Sequence, residues 1–478
     1  MNQVRTRFAP SPTGFVHVGN IRTALYAWLV ARQANGQFIL RLEDTDKNRE
    51  VAGSEQHIIE SLKALGLNYD EGPDIGGKYG PYRQSERLDI YTQWGQKLID
   101  LGKAYADPYT SHQVQKFRDH AKATNKPFLY RHHRPEKPPI WDGSQPLRFK
   151  SDPKKYKWHD LILGDLSTGP EVIDDYILIK SDGYATYNFA HIIDDREMRI
   201  SHVIRGQEFI SSVPNYLNLY ESLEFTPPIF ATVPFILGAD GRQKMSKRDG
   251  SKDVMDYIKE GFLPDALINF IASLGWNDGS TQEIFSRQEL INKFNLEKVH
   301  RSSAHFDDRR LLWMNGHFIR EMSFKDLTAR AEPYWPSGAD KFDETYKMEI
   351  LGLVQERLKY LAELAELTKF FFVDLPPNPE LIKNNKKLSA LSIAECKNLL
   401  VQARAVLNAC EFKIDDLTNC LNELLETTKQ SAGVLFSLIR IATTQAPSSP
   451  GLAETLSVLG KQRSINRLDQ QIAALNPG

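Results

Sequence analysis

Between Gln3 and Asp46 the hydrophobic period of the chain switches from strand to helix and back. Val4, Thr6 and Phe8 alternate with Arg5 and Arg7, the period of a strand. "APSPTG" follows, and its prolines and glycine read as loop. Ile21, Ala24, Leu25, Trp28 and Leu29 then recur at helical spacing and define one apolar face. "QFILRLEDTD" returns as a strand that ends in acids. Strand, helix and strand in this order predict a parallel βαβ unit, with ligands bound at the C-terminal ends of the strands.

From about residue 104 the pattern loosens, and "HHRPEKPPIWDGSQP" reads as a long irregular excursion. "DDYILIKSDGYATYNF" predicts a hairpin that turns at Ser181, Asp182 and Gly183. "MRISHVIRG" and "PPIFATVPFIL" predict further strands of the sheet. Past about residue 255 no strand pattern remains, and "LPDALINFIASLGW" and almost everything after it has a helical period. "VDLPPNPELIKNNKK" reads as a linker between helical units, and "QAPSSPG" as the last turn before a final helix pair.

A chain of 478 residues suggests several domains. The formal net charge of −1 does not announce a nucleic-acid binder, yet it leaves room for a local basic face. Cys396, Cys410 and Cys420 show no metal-ligand spacing, and so few, scattered cysteines fit a reducing compartment. The N-terminal stretch has no apolar signal core, and no apolar run is long enough to span a bilayer. A soluble cytoplasmic protein without a membrane segment is expected, and a monomer, since no coiled-coil seam is visible.

Two stretches carry candidate chemistry. "HVGN", His17 to Asn20, lies between the first strand and the first helix. A helix N-terminus offers free N–H groups and a positive dipole end, which suit phosphate. Gly19 permits close approach, and His17 and Asn20 can donate to a phosphate in transfer. The plainer reading, a loop histidine that caps a helix, stays open. "GADGRQKMSKRDGS" ends a predicted strand as a glycine-flanked loop rich in cations. Lys244 and Lys247 on such a loop can close over a polyphosphate and release it. A solvated turn is the alternative.

"HVGN" early and "KMSKR" late, separated by a long insert, resemble the paired signatures of class I aminoacyl-tRNA synthetases. With "RFAPSPTGFVHVGNIRTALYAWLVAR", "FILRLEDTD", "KSDGYATYNFAHIIDD", "HVIRGQEFISS" and "FDDRRLLWMNGHFIR", the chain is similar to the bacterial-type glutamyl-tRNA synthetases over essentially its whole length. The helical C-terminal third argues against the glutaminyl enzymes, which carry an anticodon-binding β-barrel.

The resemblance implies a Rossmann-type α/β catalytic domain with a parallel sheet and an α+β acceptor-binding insert, followed by all-α anticodon-binding domains. It divides the chain into catalytic halves at 1–103 and 191–255, with the acceptor-stem insert at 104–190 between them. A stem-contact helical region at 256–320 and anticodon domains at 321–375 and 376–478 complete the division. Arg7 and Arg205 would hold the carboxylates of L-glutamate, with Tyr187 adding a hydroxyl and Glu43 taking the α-ammonium. Ser11 would donate to substrate or adenylate. ATP would lie over His17, Gly19 and Asn20, with Glu208 and the backbone at Phe235 to Leu237 toward its nucleoside. Lys244 and Lys247 would hold its phosphates. Magnesium would arrive bound to ATP. The acceptor would be tRNA(Glu), with tRNA(Gln) left open as a second one.

Some positions depart from the family pattern. Where relatives carry a zinc site in the insert, this chain has "AYADPYTS" and "YRHHRP", so no structural zinc is expected, and His132 and His133 read as a basic, tRNA-facing loop or a solvated turn. His191 stands where a small or amide residue is usual. Two other functions remain open: a catalytically weak tRNA-binding paralogue, and a nucleotidyltransferase that works without tRNA.

Overall fold

The computed structural model describes residues 3–238, 241, 243, 245 and 252–475. The chain forms two compact units, one of Met1–Lys259 with Pro264–Leu311, the other of Glu260–Leu263 with Leu312–Gly478.

The first unit begins β1 (Arg5–Phe8), α1 (Val18–Gln33), β2 (Gln37–Leu40), with β1 and β2 parallel and Arg7 opposite Ile39. The predicted βαβ unit is therefore present. All four residues of β1 are buried, so its alternation does not mark a wet face. Parallel strands are covered on both sides, and the arginines find partners inside. Arg5 makes a two-pronged bond to Glu71 at 2.9 and 3.0 Å, while Thr6 donates to the Ala27 carbonyl of α1 at 2.7 Å.

There follow α2 (Ser54–Ala64), α3 (Leu88–Asp100), β3 (Ala104–Ala106), α4 (Ser111–Ala123), β4 (Leu147–Phe149), β5 (Tyr156–Asp160), β6 (Gly164–Thr168) and β7 (Ile177–Ile179). Strands β3, β4 and β7 form a small antiparallel sheet. The hairpin predicted around Ser181 to Gly183 is shorter than expected. Its second arm is one bridge, Ile179 to Ala185, because α5 (Tyr187–Glu197) starts directly behind it. Next come β8 (His202–Gly206), α6 (Val213–Ser222), β9 (Ile229–Val233) and β10 (Ile236–Leu237). Strands β8 and β9 are parallel, and β9 also takes the β5–β6 hairpin in parallel through Asp160 opposite Phe230. "PPIFATVPFIL" is thus two strands, broken at Pro234, which cannot donate to a ladder.

The unit closes with α7 (Val254–Lys259), α8 (Pro264–Ala272), α9 (Arg287–Lys293) and β11 (Ala304–His305). Strand β11 pairs with β10 and corrects the expectation that strands end near residue 255. Two residues are too short to leave a periodic trace in the sequence. One apolar cluster built around Tyr91, Phe149, Phe189, Ile193 and Tyr216 packs the insert strands and α5 together.

The second unit is helical. It contains α11 (Phe324–Ala331), α12 (Glu344–Val354), α13 (Glu363–Phe372), α14 (Glu380–Lys383), α15 (Ile393–Ala409), α16 (Ile414–Thr428), α17 (Ala432–Thr444), α18 (Leu452–Leu459) and α19 (Lys461–Ala474), after α10 (Asp308–Glu321). The stretch read as a linker carries the short α14, with Ile382 buried in the same cluster as Leu400, Leu438 and Leu468. Cys410 and Cys420 are joined in a disulfide, a pairing the spacing did not suggest, and Cys396 is free and buried. Asp416 lies beside that pair. Among the described residues no helix is long and apolar enough to cross a membrane.

Candidate active site

A cavity of about 240 Å³ opens at the C-terminal ends of β1 and β8, where a parallel sheet is expected to receive ligands. Arg7, Ser11, His17, Gly19, Asn20, Glu43, Tyr187, Arg205 and Glu208 all line it. Leu237 does not, although its neighbours Phe235 and Ile236 do, and its carbonyl accepts from Phe306 of the chain behind it. Lys244 and Lys247 lie outside the described residues.

The phosphate-type turn has the geometry of a cap. His17 sits before α1 in extended conformation and its Nδ1 accepts from Gly19 N–H at 3.1 Å. Asn20 Oδ1 accepts in return from His17 N–H at 3.3 Å, which closes a capping box. The capping reading and the phosphate reading are compatible, since the capped turn lines the cavity. Gly19 is required for the close fit. A Cβ there would stand 2.9 Å from the His17 ring.

The cations differ in what already holds them. Arg7 Nε donates to Asp195 Oδ1 at 3.1 Å and its Nη1 to the Ile204 carbonyl at 3.3 Å. Arg41, fully buried on the segment after β2, donates to the same Asp195 oxygen at 2.8 Å and to Glu43 at 3.1 Å. Burial works to raise the Asp195 carboxyl, but Arg7 and Arg41 hold it well below the usual range. Arg205 is buried too, yet among the described residues its Nη1 and Nη2 have no partner within hydrogen-bond distance, and the Tyr187 hydroxyl acts on it from beside it. Its guanidinium lies over the rings of Tyr216 and Phe209, at 4.8 and 5.2 Å, and Phe209 stacks on Tyr187. A buried guanidinium with unpaired donors is costly and awaits an anion.

Burial pushes the Glu43 carboxyl up to about 7, against the pull of Arg41 and Arg7. Burial also raises the Tyr187 hydroxyl, which stays a donor at neutral pH. His191, one turn along α5, is buried with its Nδ1 3.9 Å from Asp195 Oδ2, and burial lowers it to about 3 against the pull of Asp195. It is therefore a neutral ring. Sequence reasoning did not assign Asp195 and Arg41. Both stand in quoted motifs, "HIIDD" and "FILRLEDTD", and an arginine inside an apolar strand run was the available signal.

Of the two histidines read as a basic loop or a solvated turn, His132 is exposed, while His133 and the neighbouring Arg134 have partners. Arg134 pairs with Asp175 at 2.6 Å, and the His133 ring stacks on Phe117 at 4.2 Å, so neither is a solvated turn residue.

Known proteins agree with this architecture. Residues 3–313 match the family described as tRNA synthetases class I (E and Q), catalytic domain, and residues 326–472 match an anticodon binding domain. Those matches define the class: a class I tRNA synthetase catalytic domain followed by an anticodon-binding one. A glutamate–tRNA ligase of Dehalococcoides mccartyi is 40% identical over 99% of this chain and 98% of its own. One of Clostridium botulinum is 40% identical over 98% of this chain and 97% of its own. The crystal structure of a glutamate tRNA ligase from Elizabethkingia meningosepticum in complex with its amino acid superposes with a TM-score of 0.87 at 32% identity, covering 99% of this chain and 100% of that one. The chain belongs to the glutamate–tRNA ligase family of class I tRNA synthetases.

Proposed function

We infer that the protein ligates L-glutamate to the 3′-terminal adenosine of tRNA(Glu) at the expense of ATP, releasing AMP and pyrophosphate. The observation that carries the choice of substrate is Arg205, a buried guanidinium with unpaired donors in a cavity that also holds Arg7, Glu43 and Tyr187. A planar fork of donors matches a carboxylate in a way a neutral amide does not.

The side-chain carboxylate of glutamate binds Arg205 and Tyr187, and Arg7, already neutralised by Asp195, adds a weaker contact. Glu43 takes the α-ammonium, which in turn favours its charged form. Ser11 donates to the substrate or the adenylate. The α-carboxylate attacks the α-phosphorus of ATP, which enters as its magnesium complex. The turn from His17 to Asn20 with its helix N-terminus, and Lys244 and Lys247, stabilise charge on the phosphates. The nucleoside lies toward Glu208, Phe235 and Ile236. The 2′-hydroxyl of the tRNA then attacks the mixed anhydride, so catalysis is positioning and charge stabilisation without a covalent enzyme intermediate.

The protein works as a cytoplasmic monomer without structural zinc, and the helical unit from residue 321 reads the anticodon. Nothing favours the weak paralogue. Charging of tRNA(Glu) with labelled glutamate by wild type and Lys247→Ala tests the reading. Charging is expected in wild type and a loss of about a hundredfold or more in the variant. A wild type that binds tRNA(Glu) and charges none overturns it.

A further inference from the structure

His57, half-buried on the second turn of α2, belongs to none of the roles above. It touches Val16, beside His17, and Asp253, at the start of α7. Its Nδ1 accepts from Val16 N–H at 3.4 Å, in the residue before His17. That bond leaves the proton on Nε2, which reaches both Asp253 oxygens, Oδ1 at 2.9 Å and Oδ2 at 2.8 Å. Phe15 packs on the imidazole at 4.6 Å. Asp253 also forms a backbone bridge with His17, and its Oδ1 accepts from Met255 N–H at 2.8 Å to cap α7. One turn earlier on α2, Ser54 exchanges hydrogen bonds with Gly14, 2.7 Å to its carbonyl and 3.3 Å from its N–H. Lys247 stands six positions before Asp253 in the chain.

We propose that His57 is a positioning residue: it braces the turn that carries His17 against Asp253 at the start of α7, reinforcing the backbone bridge between His17 and Asp253. An ordinary helix cap explains Asp253 toward Met255, but not the aim of His57 at it. An ordinary half-exposed ion pair explains His57 toward Asp253, but not the bond from Val16. Both together put the imidazole between the His17 turn and the start of α7. This rests on the reading that the His17 turn holds ATP.

The test measures KM for ATP, KM for glutamate and kcat in tRNA-dependent pyrophosphate exchange, with thermal melting alongside. The variants are His57→Ala, His57→Gln, Asp253→Ser and the double His57→Ala/Asp253→Ser. Serine keeps the cap of α7 but is too short for His57. Glutamine puts an amide N–H where Nε2–H stands. KM for ATP is expected to rise about fivefold in His57→Ala and Asp253→Ser, the scale of one such contact. The double variant should be no worse than the worse single, KM for glutamate should hold, and His57→Gln should recover most of the loss. Additive losses, equal rises for both substrates, or a normal KM for ATP in both singles overturns the link. If His57→Ala fails to fold, Asp253→Ser alone decides. His17→Ala is run beside them. If KM for ATP is normal in that variant, the ATP reading falls and the link with it. If it is raised there while His57→Ala and Asp253→Ser are normal, only the link falls.

Discussion

Arg7 is held by Asp195 at 3.1 Å, whereas among the described residues Arg205, lining the same cavity, makes no hydrogen bond from either Nη1 or Nη2. The two arginines therefore carry different loads. Removing Arg205 takes away a buried charge that stacks on Tyr216 and Phe209 and has no ion pair among the described residues, while removing Arg7 takes a partner from a buried carboxylate. Arg205→Ala should raise KM for glutamate about 100-fold, ~2.7 kcal/mol for a lost charge-assisted pair, and should not lower the melting temperature. Arg7→Ala should lower both affinity and melting temperature, because Asp195 loses one of the two arginines that hold its charge. Thermal melting of the two variants beside their glutamate KM values separates the roles.

Glu43 gives a pH dependence with two signs. Its carboxyl titrates near 7 in the folded chain because burial disfavours its charge. Between the ordinary carboxylate value and about 7 the folded chain therefore binds more protons at this site than the unfolded chain, and its contribution to stability falls as pH rises. Substrate binding runs the other way, since the α-ammonium needs the charged form. KM for glutamate should fall as pH rises from about 6 to about 8, and Glu43→Gln should flatten the profile at a higher KM. Steady-state kinetics across that range check it.

Gly19→Ala should disturb the ATP half of the site. The added methyl would meet the His17 ring at 2.9 Å and push it out of the cap. A fall in kcat of pyrophosphate exchange of about tenfold to a hundredfold is expected, with KM for glutamate unchanged. An exchange rate within twofold of wild type, as an approximate bound, would show that the His17 ring position is not needed.

Asp194 is structural, unlike its neighbour Asp195. It accepts from Arg87 at 2.7 Å, from Gln84 at 2.8 Å and from Tyr91 at 2.9 Å, all buried. Asp194→Ala strands those donors and should cost about 3–5 kcal/mol. Denaturant unfolding should show it as an early transition.

The phosphate-type turn was legible because it sits where the period of the sequence changes, whereas the roles of Arg7, Glu43, Tyr187 and Arg205 were implied by the family resemblance. The turn at His17 lies where a strand pattern gives way to a helix pattern, and Arg205 ends a readable strand. Asp195 and Arg41 were not legible as partners, since a pair 154 positions apart leaves no local signal. Nor did the pattern show the partners of the β1 arginines, which are buried against Glu71 and Asp195. The strand at 304–305 and the Cys410–Cys420 pair escaped for the same reason, being contacts without a period.

The central claim is that this cavity selects a carboxylate and activates it only for transfer to tRNA. Pyrophosphate exchange measured with L-glutamate and with L-glutamine, each with and without tRNA(Glu), on wild type and Arg205→Ala, tests it most directly. The account predicts exchange from wild type with glutamate and tRNA together, little with glutamine, and near loss in Arg205→Ala at the same glutamate concentration. Equal exchange with glutamine, or wild-type exchange from Arg205→Ala, would contradict it.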